Sequence, residues 1–280
     1  MPHQRVGDIN LYYELFDFTE PWRAGPAPVV FIHGLGGDHS MWLYQVPACC
    51  SRFPTITLDL RGHGQSTRPT GDCGMAEMAA DVVRLLRALG VERAHLVGLS
   101  LGGMVAQQFA LDYPLATASL VLADTLCGTP PGFENVMRDA VRFIEENTMA
   151  AVAQARITNA FSDAVDPVLR GYLIDRVAQN DKAAYVRAAR SAFGFSVGDR
   201  LAEITAPTLV VVGEEDRVTP PPLSDDIAAR IPGARLARIA GAGHISNIER
   251  PQEFNSVVLE FLCAIAGLSA ASRRAGGVGE

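Results

Sequence analysis

The chain has 280 residues, of which 48% are hydrophobic and 20% are charged, a balance typical of a globular protein that can bury a sizeable core. Its net charge of −7 argues against nucleic acid or an anionic membrane surface as a partner, because both would repel it. The charge does not identify a substrate, and the sequence leaves the oligomeric state open.

The N-terminal segment MPHQRVGDINLYYELF has no apolar run after a basic stretch, so we predict no secretory signal peptide. No uninterrupted apolar stretch is long enough to cross a bilayer. The five cysteines show neither metal-ligand spacing nor a disulfide framework. Together these features predict a cytoplasmic protein with reduced thiols.

Taken in chain order, the elements begin with a loosely alternating stretch, Val6–Phe16, that predicts an antiparallel pair. Six short, β-branched apolar runs follow: Pro28–His33, Thr55–Asp59, Ala94–Gly98, Ser119–Ala123, Thr208–Val212 and Ala234–Ile239. The helical patterns between and after them are Met75–Leu89, Leu101–Asp112, Leu223–Arg230 and Gln252–Ala266. Such alternation predicts an α/β fold with a mostly parallel, doubly wound sheet.

The alternation stops between about Gly128 and Arg200, where amphipathic helical windows occur without a convincing strand. A helical block between two strands of one sheet predicts a cap over the carboxyl edge of that sheet. We therefore expect a core of residues 1–127 and 201–268 and a helical cap of residues 128–200. The Ala/Gly/Ser-rich residues 269–280 predict a flexible tail.

A serine between two glycines stands between a predicted strand and a predicted helix, in the segment Gly98-Leu99-Ser100-Leu101-Gly102. A turn this sharp strains the backbone at the serine, and a side chain in place of either glycine would collide with it. The helix N-terminus also directs free N–H groups toward incoming negative charge. This context favours Ser100 as a nucleophile over a chance match in a glycine-rich loop.

A serine hydroxyl needs a base to become a nucleophile. His244, in the glycine-rich loop after the last predicted strand, is the candidate base. Asp216 follows the next-to-last strand and is the candidate acid that orients the imidazole, which gives the chain order Ser, Asp, His. Asp124, at the end of the preceding strand, is the alternative acid. Glu214 and Glu215 are expected to face solvent.

An oxyanion formed by nucleophilic attack needs N–H donors. One donor is expected to be the backbone N–H of Leu101, directly after the nucleophile. The other is expected to be Leu35, in the glycine-rich loop after the first buried strand, although a merely flexible turn would look the same. Nucleotide-binding glycine motifs and zinc-ligand spacings do not occur in the sequence, so we predict no cofactor and no metal.

Four segments carry a resemblance to a known family: His33–Trp42, Asp59–Ser66, Gly98–Val105 and Gly243–Glu249. They resemble the α/β-hydrolase superfamily and, within it, are most similar to 3-oxoadipate enol-lactonases. The resemblance covers roughly residues 6–125 and 206–262. It implies the α/β-hydrolase fold, with the catalytic residues at Ser100, Asp216 and His244 and the oxyanion donors at Leu35 and Leu101.

Substrate choice in this fold depends largely on the cap. We expect the pocket to be lined by Trp42, Cys127, Phe133 and Arg138, although packing is the stronger expectation for Trp42. An enol-lactone with a carboxylate tail would need a cationic partner. The candidate cations are Arg138, Arg142, Arg187 and Arg190.

These expectations favour a serine hydrolase that cleaves a small-molecule ester or lactone through an acyl-enzyme. A carbon–carbon bond hydrolase or a cofactor-free perhydrolase with the same triad is an alternative. A non-enzymatic ligand receptor that retains the triad is another, because fold alone does not decide function. Families that use an aspartate nucleophile are disfavoured, since the residue between Gly98-Leu99 and Leu101-Gly102 is a serine.

Overall fold

The computed structural model describes residues 3–20, 25–71, 73–130 and 132–268, so the predicted tail lies outside the described residues. Within these ranges one sheet contains eight strands, in the order β1-β2-β4-β3-β5-β6-β7-β8. The strands are β1 (His3–Val6), β2 (Ile9–Phe16), β3 (Val29–Ile32), β4 (Thr55–Leu58), β5 (Ala94–Leu99), β6 (Thr117–Ala123), β7 (Thr208–Gly213) and β8 (Arg235–Ile239). The β1–β2 and β2–β4 pairs are antiparallel, and the other pairs are parallel.

Helices cover both faces of this sheet, as the alternating pattern predicts. The helices are α1 (Gln45–Cys49), α2 (Met75–Ala88), α3 (Leu101–Asp112), α4 (Glu134–Glu146), α5 (Met149–Ala160), α6 (Pro167–Ala178), α7 (Lys182–Phe193), α8 (Pro221–Arg230), α9 (Ser246–Glu249) and α10 (Pro251–Ala266). The apolar side chains of α2, α3 and α8 pack on one face, and those of α1 and α10 pack on the other. The predicted mostly parallel, doubly wound sheet is confirmed.

Strand β3 shows why the buried runs are uniformly apolar. Val29 and Phe31 pack toward α1 and α10, whereas Val30 and Ile32 pack toward α2 and α3. All four side chains are fully buried, and each such burial contributes about 1.5–3 kcal/mol to stability. A polar residue on either face would therefore be costly, and no alternation remains in the sequence of the strand.

The four helices α4–α7 lie between β6 and β7, at the position where the sequence predicts a cap. They share a separate apolar cluster that also includes Ile245 and Ile248, which flank and enter α9. An antiparallel bridge between Gly128 and Ser196 joins the two ends of the insertion. These four inserted helices, which we call the cap, thus share an apolar core of their own. This core continues into the loop after β8.

Among the described residues, no helix combines the length and apolar character needed to cross a membrane.

Candidate active site

Ser100 lies at the turn between β5 and α3, at the carboxyl edge of the sheet. Its backbone has φ 54° and ψ −115°, a conformation that costs a non-glycine residue about 1–3 kcal/mol. Surrounding hydrogen bonds hold this conformation. The Ser100 N–H donates to the Ala123 carbonyl (2.9 Å), and the Thr125 hydroxyl donates to the Ser100 carbonyl (2.7 Å). The turn of residues 98–102, which we call the elbow, is therefore held by hydrogen bonds to the end of the neighbouring strand β6 and to Thr125 just after it.

The flanking glycines are required by close backbone packing. A Cβ at Gly98 would collide with the carbonyl of Gly102, and a Cβ at Gly102 would collide with the carbonyl of Ile32. Because no side chain intervenes, α3 starts directly against β3. The free N–H groups of its first turn therefore lie at the sheet edge beside the Ser100 hydroxyl.

A continuous hydrogen-bond chain joins the serine, the histidine and the acid predicted from the sequence. The Nε2 atom of His244 lies 3.0 Å from the Oγ atom of Ser100, and its Nδ1 atom lies 2.8 Å from Oδ2 of Asp216. All three residues are buried. The acid is itself fixed, since Oδ1 of Asp216 accepts the backbone N–H groups of Val218 and Thr219 at 2.7 and 2.8 Å.

The pKa values of His244 and Asp216 are each set by burial and by their mutual attraction. Burial alone would lower the pKa of His244, but the Asp216 carboxylate outweighs burial and holds that pKa above its ordinary 6.5. Burial would raise the pKa of Asp216, yet attraction to His244 and hydrogen bonds from Thr219 hold it below its ordinary value. Asp216 is therefore ionised at neutral pH and stabilises an imidazolium at His244.

The alternative acid, Asp124, has different partners. Its Oδ1 accepts the N–H of Gly213 (2.8 Å), and its Oδ2 lies 2.5 Å from the hydroxyl of Ser246. Burial, reinforced by the negative charge of Asp216, raises the pKa of Asp124. Asp124 thus links β6 and β7 to Ser246, the first residue of α9. Ser246 follows the loop of residues 240–245 that carries His244, which we call the histidine loop. Asp216, in contrast, contacts the imidazole itself.

The two predicted oxyanion donors flank the serine. Leu101 is the first residue of α3, and Leu35 lies in the loop after β3 and lines the same cavity as Ser100. Within the described part of the chain, neither backbone N–H has a hydrogen-bond acceptor. His33 fixes this loop: its Nε2 accepts the N–H of Leu60 (3.0 Å), so its Nδ1 donates to the Gly34 carbonyl (2.8 Å).

A cavity of about 250 Å³ lies over the serine, between the sheet edge and the cap. Its lining combines three loops of the core with side chains from the cap helices. The loops are the predicted oxyanion loop (residues 33–37), the elbow and the histidine loop. The lining residues are Gly34, Leu35, Met41, Leu99, Ser100, Ala140, Phe143, Ile144, Ala155, Arg156, Ile157, Asn159, Ala160, Val177, Val218, His244 and Ile245. Most of these side chains are apolar, as is usual for a small-molecule pocket.

A model of the Alpha/beta hydrolase family matches residues 29–257. The chain belongs to this family. It is 31% identical over 242 residues to 3-oxoadipate enol-lactonase 1 of Acinetobacter baylyi, covering 85% of this chain and 89% of that protein. The crystal structure of the enol-lactonase from Burkholderia xenovorans LB400 superposes with a TM-score of 0.86 at 29% identity, over 93% of this chain and 99% of that one.

A further relative is the dihydrolipoyllysine-residue acetyltransferase component of the acetoin cleaving system of Cupriavidus necator. The identity is 32% over 254 residues, and the match covers 85% of this chain but 64% of that protein. The chain therefore spans less than two thirds of that relative. The predicted resemblance to α/β-hydrolases, with enol-lactonases among the relatives, is confirmed, and the comparisons support hydrolase activity.

The four residues expected to line the pocket of this hydrolase do not line the cavity. Trp42 is fully buried against the face of the sheet that α1 and α10 cover, where its ring centroid lies 4.8 Å from that of Phe31. Cys127 is buried with its Sγ atom 3.7 Å from Oδ2 of Asp226, and burial raises the pKa of its thiol to about 11. Phe133 and Arg138 are exposed at the start of α4.

Three of the four candidate cations have other partners, and the fourth, Arg138, is exposed. Arg142 pairs with Asp139, Arg190 pairs with Glu145, and Arg187 donates to the Pro69 carbonyl. The cavity instead contains Arg156, on α5, which the sequence reasoning missed. The available signal was that Arg156 is the only charged residue of α5, in an otherwise uncharged helix.

Three side chains beside the oxyanion loop, Asp38, His39 and Asp59, could supply ligand atoms to a metal ion. Each of the three side chains already has a hydrogen-bond or ion-pair partner in the protein. Asp59 accepts from Nδ1 of His39 (2.8 Å) and from the N–H of Gln65 (2.8 Å), and Asp38 pairs with Arg176 of α6. These contacts hold the loop in place.

Proposed function

We propose that this protein hydrolyses a small ester or lactone through an acyl-enzyme, with Ser100 as nucleophile, His244 as base and Asp216 as orienting acid. The observation that carries the proposal is the hydrogen-bond chain of 3.0 and 2.8 Å from the Ser100 hydroxyl through His244 to Asp216. Its position at the wall of a mostly apolar cavity supports the same conclusion.

In the first step the substrate carbonyl lies in the cavity against the elbow. Oγ of Ser100 attacks the carbonyl carbon while Nε2 of His244 takes the hydroxyl proton. Asp216 stabilises the imidazolium that forms. The negative charge moves to the carbonyl oxygen, which accepts the backbone N–H groups of Leu35 and Leu101.

In the second step the tetrahedral intermediate collapses, and the imidazolium returns its proton to the leaving oxygen. For an ester this releases an alcohol, and for a lactone it opens the ring while the new hydroxyl remains on the acyl group. His244 then takes a proton from a water molecule that attacks the acyl carbonyl. The bond between the acyl group and Oγ of Ser100 breaks, His244 returns the proton to Oγ, and the acid leaves. The named enol-lactonases among the relatives support a carbonyl of this kind as the electrophile.

The proposal is tested with p-nitrophenyl butyrate and a phosphonate inhibitor. We expect steady turnover by the wild-type protein and a phosphonyl adduct on the peptide that contains Ser100. Ser100→Ala is expected to lose both. Ser51→Ala, which removes an exposed serine hydroxyl, is the matched control and is expected to retain both.

Unchanged turnover in Ser100→Ala would refute the mechanism. A single turnover without release would favour the receptor alternative, because a receptor binds or reacts once, whereas a hydrolase releases the acid and reacts again.

A further inference from the structure

The oxyanion loop has little conformational preference of its own. Three of its five residues are glycines, at positions 34, 36 and 37. The Gly37 N–H donates to the Gly34 carbonyl (3.0 Å), and Gly36 has a φ of +74°, the left-handed value that a type II turn needs at this position. Because glycine adopts other conformations just as readily, the local sequence does not fix the direction of the Leu35 N–H. Contacts from outside the loop are needed to fix it.

Asn180, between α6 and α7, supplies one of these contacts. Its Nδ2 atom donates to the Gly36 carbonyl (2.9 Å) and to the Val177 carbonyl (3.0 Å) near the end of α6. The first hydrogen bond holds the turn, and the second holds the amide itself on the cap. Leu35 directly precedes Gly36, so a rotation of the turn at Gly36 would redirect the Leu35 N–H.

Two further side chains of the cap contact the same half of the loop. Arg176 of α6 forms an ion pair with Asp38, the residue directly after the loop. The ring of Tyr185, which is fully buried on α7, packs so closely on Gly36 that a Cβ there would lie 2.7 Å from Cε2 of the ring. The cap therefore holds the second half of the loop, whereas His33 holds the first half from the core.

We propose that Asn180 and Arg176 are positioning residues that keep the Leu35 N–H directed at the developing negative charge. This inference rests on the proposed function, because the charge arises only when Ser100 attacks a carbonyl. Removing one oxyanion donor typically lowers kcat by about 10²- to 10³-fold, and a misdirected donor loses part of that contribution. The cap thus contributes to the rate of the reaction as well as to the wall of the cavity.

The first test removes the amide donor of Asn180. Asn180→Asp keeps the size of the side chain but places an acceptor against the Gly36 carbonyl, and Asn180→Ala removes the contact. For both variants we expect kcat for p-nitrophenyl butyrate to fall about 10- to 100-fold. KM should change less than about threefold, because acylation and deacylation both pass through an oxyanion and slow together. Inhibition by a trifluoromethyl ketone, whose adduct with Ser100 carries an oxyanion, should weaken as much as kcat/KM falls.

Asn147→Ala is the matched control. The Nδ2 atom of Asn147 donates to the Phe143 carbonyl (2.8 Å) at the end of α4, much as Asn180 donates at the end of α6. Its kcat is expected to stay within about twofold of the wild-type value. An equal loss in Asn147→Ala would overturn the proposal, because that pattern indicates a general effect of the ends of the cap helices. Wild-type kcat in both Asn180 variants would also overturn it.

The pH profile shows whether the Asn180 variants act through the base instead. In Asn180→Ala the pH at which kcat/KM is half-maximal should stay at the wild-type value, because the contact between His244 and Asp216 is retained. A shift of this pH would indicate that the variant disturbs the imidazole, and it would overturn the role assigned to Asn180.

The ion pair of Arg176 is tested separately. Arg176→Gln is expected to lower kcat about 3- to 10-fold with little change in KM. Arg176→Lys should recover most of this loss, because an ammonium group also pairs with the Asp38 carboxylate. Unchanged kcat in Arg176→Gln, or no recovery with lysine, would overturn the role of this residue.

The inference and the proposed function fail in different experiments. Turnover that persists in Ser100→Ala would refute the proposed function, whatever the cap variants show. An inactive Ser100→Ala together with full activity in Asn180→Asp and Arg176→Gln would leave the proposed function in place and overturn the inference alone.

Discussion

The sheet core and the helical cap contribute to the site in different ways. The core provides the hydrogen-bonded Ser100, Asp216 and His244, each at or just beyond the carboxyl end of a strand. The cap helices α4–α6 provide much of the cavity wall and its arginine. The core thus supplies the hydrogen-bonded polar groups, and the cap supplies much of the apolar surface that faces them.

The cap is nevertheless joined to the groups that it covers. The N–H of His244 donates to the Ala160 carbonyl at the end of α5 (2.6 Å). Glu249 accepts the N–H of Gly243 (2.7 Å) and the N–H of Ser162 (3.0 Å), which lie on the histidine loop and the cap. A Cβ at Gly243 would crowd the cap backbone, so this position requires glycine. This side of the cap is therefore part of the scaffold that holds the histidine.

The largest expected effect comes from the core. Ser100→Ala or His244→Ala is expected to lower kcat for p-nitrophenyl butyrate by roughly 10⁵-fold, because the nucleophile and its base act as a unit. The measurement is steady-state turnover, with circular dichroism to verify the fold. Combining the two substitutions should cost little more than either one alone. Additive losses would show that the two groups act independently.

The next effect separates the two candidate acids. Asp216→Asn is expected to lower kcat by about 10⁴-fold, because the amide favours the wrong imidazole tautomer. Asp124→Asn should lower kcat less than about tenfold and reduce stability instead, by about 1–3 kcal/mol, since it disturbs buried hydrogen bonds. Kinetics and chemical denaturation of both variants test this. The reverse ranking in kcat would identify Asp124 as the acid.

The pH dependence follows from the raised pKa of His244. The base must be neutral to accept the serine proton, so kcat/KM is expected to fall as the pH drops through this pKa. The half-maximal point should lie above the ordinary histidine value of 6.5, with about a tenfold loss per pH unit below it. A profile of kcat/KM for an uncharged ester checks this. A half-maximal point below pH 6 would contradict the electrostatic role of Asp216.

The smallest expected effect tests the junction between cap and core. Glu249→Ala is expected to lower the free energy of unfolding by about 2–3 kcal/mol and kcat/KM by about tenfold, because Gly243 and the cap lose a shared charged acceptor. Glu253→Ala, which removes an exposed carboxylate on α10, is the control and should stay within about 0.5 kcal/mol. Loss of stability with full activity would show that the histidine loop does not depend on the cap.

Local patterns were enough to predict the strands and four of the helices that flank the sheet, α2, α3, α8 and α10, whereas the short helix α1 was missed. The elbow segment was also recognisable, because sharp strand-to-helix turns admit few residue types. The position of Asp216 and His244 after consecutive strands predicted their meeting, since parallel strands bring their carboxyl ends to one edge. The structure places His244 between Ser100 and Asp216, within hydrogen-bond distance of both.

The pocket could not be predicted in the same way. Trp42 follows the oxyanion loop closely in sequence. Its short 3₁₀ helix nevertheless directs its side chain onto the sheet face covered by α1 and α10, against Phe31 and Phe254. Arg156 is far from any recognised motif, and only the rotation of α5 brings it into the cavity. Which face a cap helix presents depends on packing against its neighbours, and its own sequence records that weakly.

The sequence by itself determined the type of sheet, the place of the insertion and the candidate residues at the sheet edge. These follow from hydrophobic periodicity and from turns with strict steric requirements, both of which are local. Only the tertiary structure decided that Asp216 contacts the imidazole rather than Asp124, and that Arg156 is the arginine that lines the cavity. Those choices depend on side-chain directions across elements that are distant in the chain, which are fixed when the whole core packs.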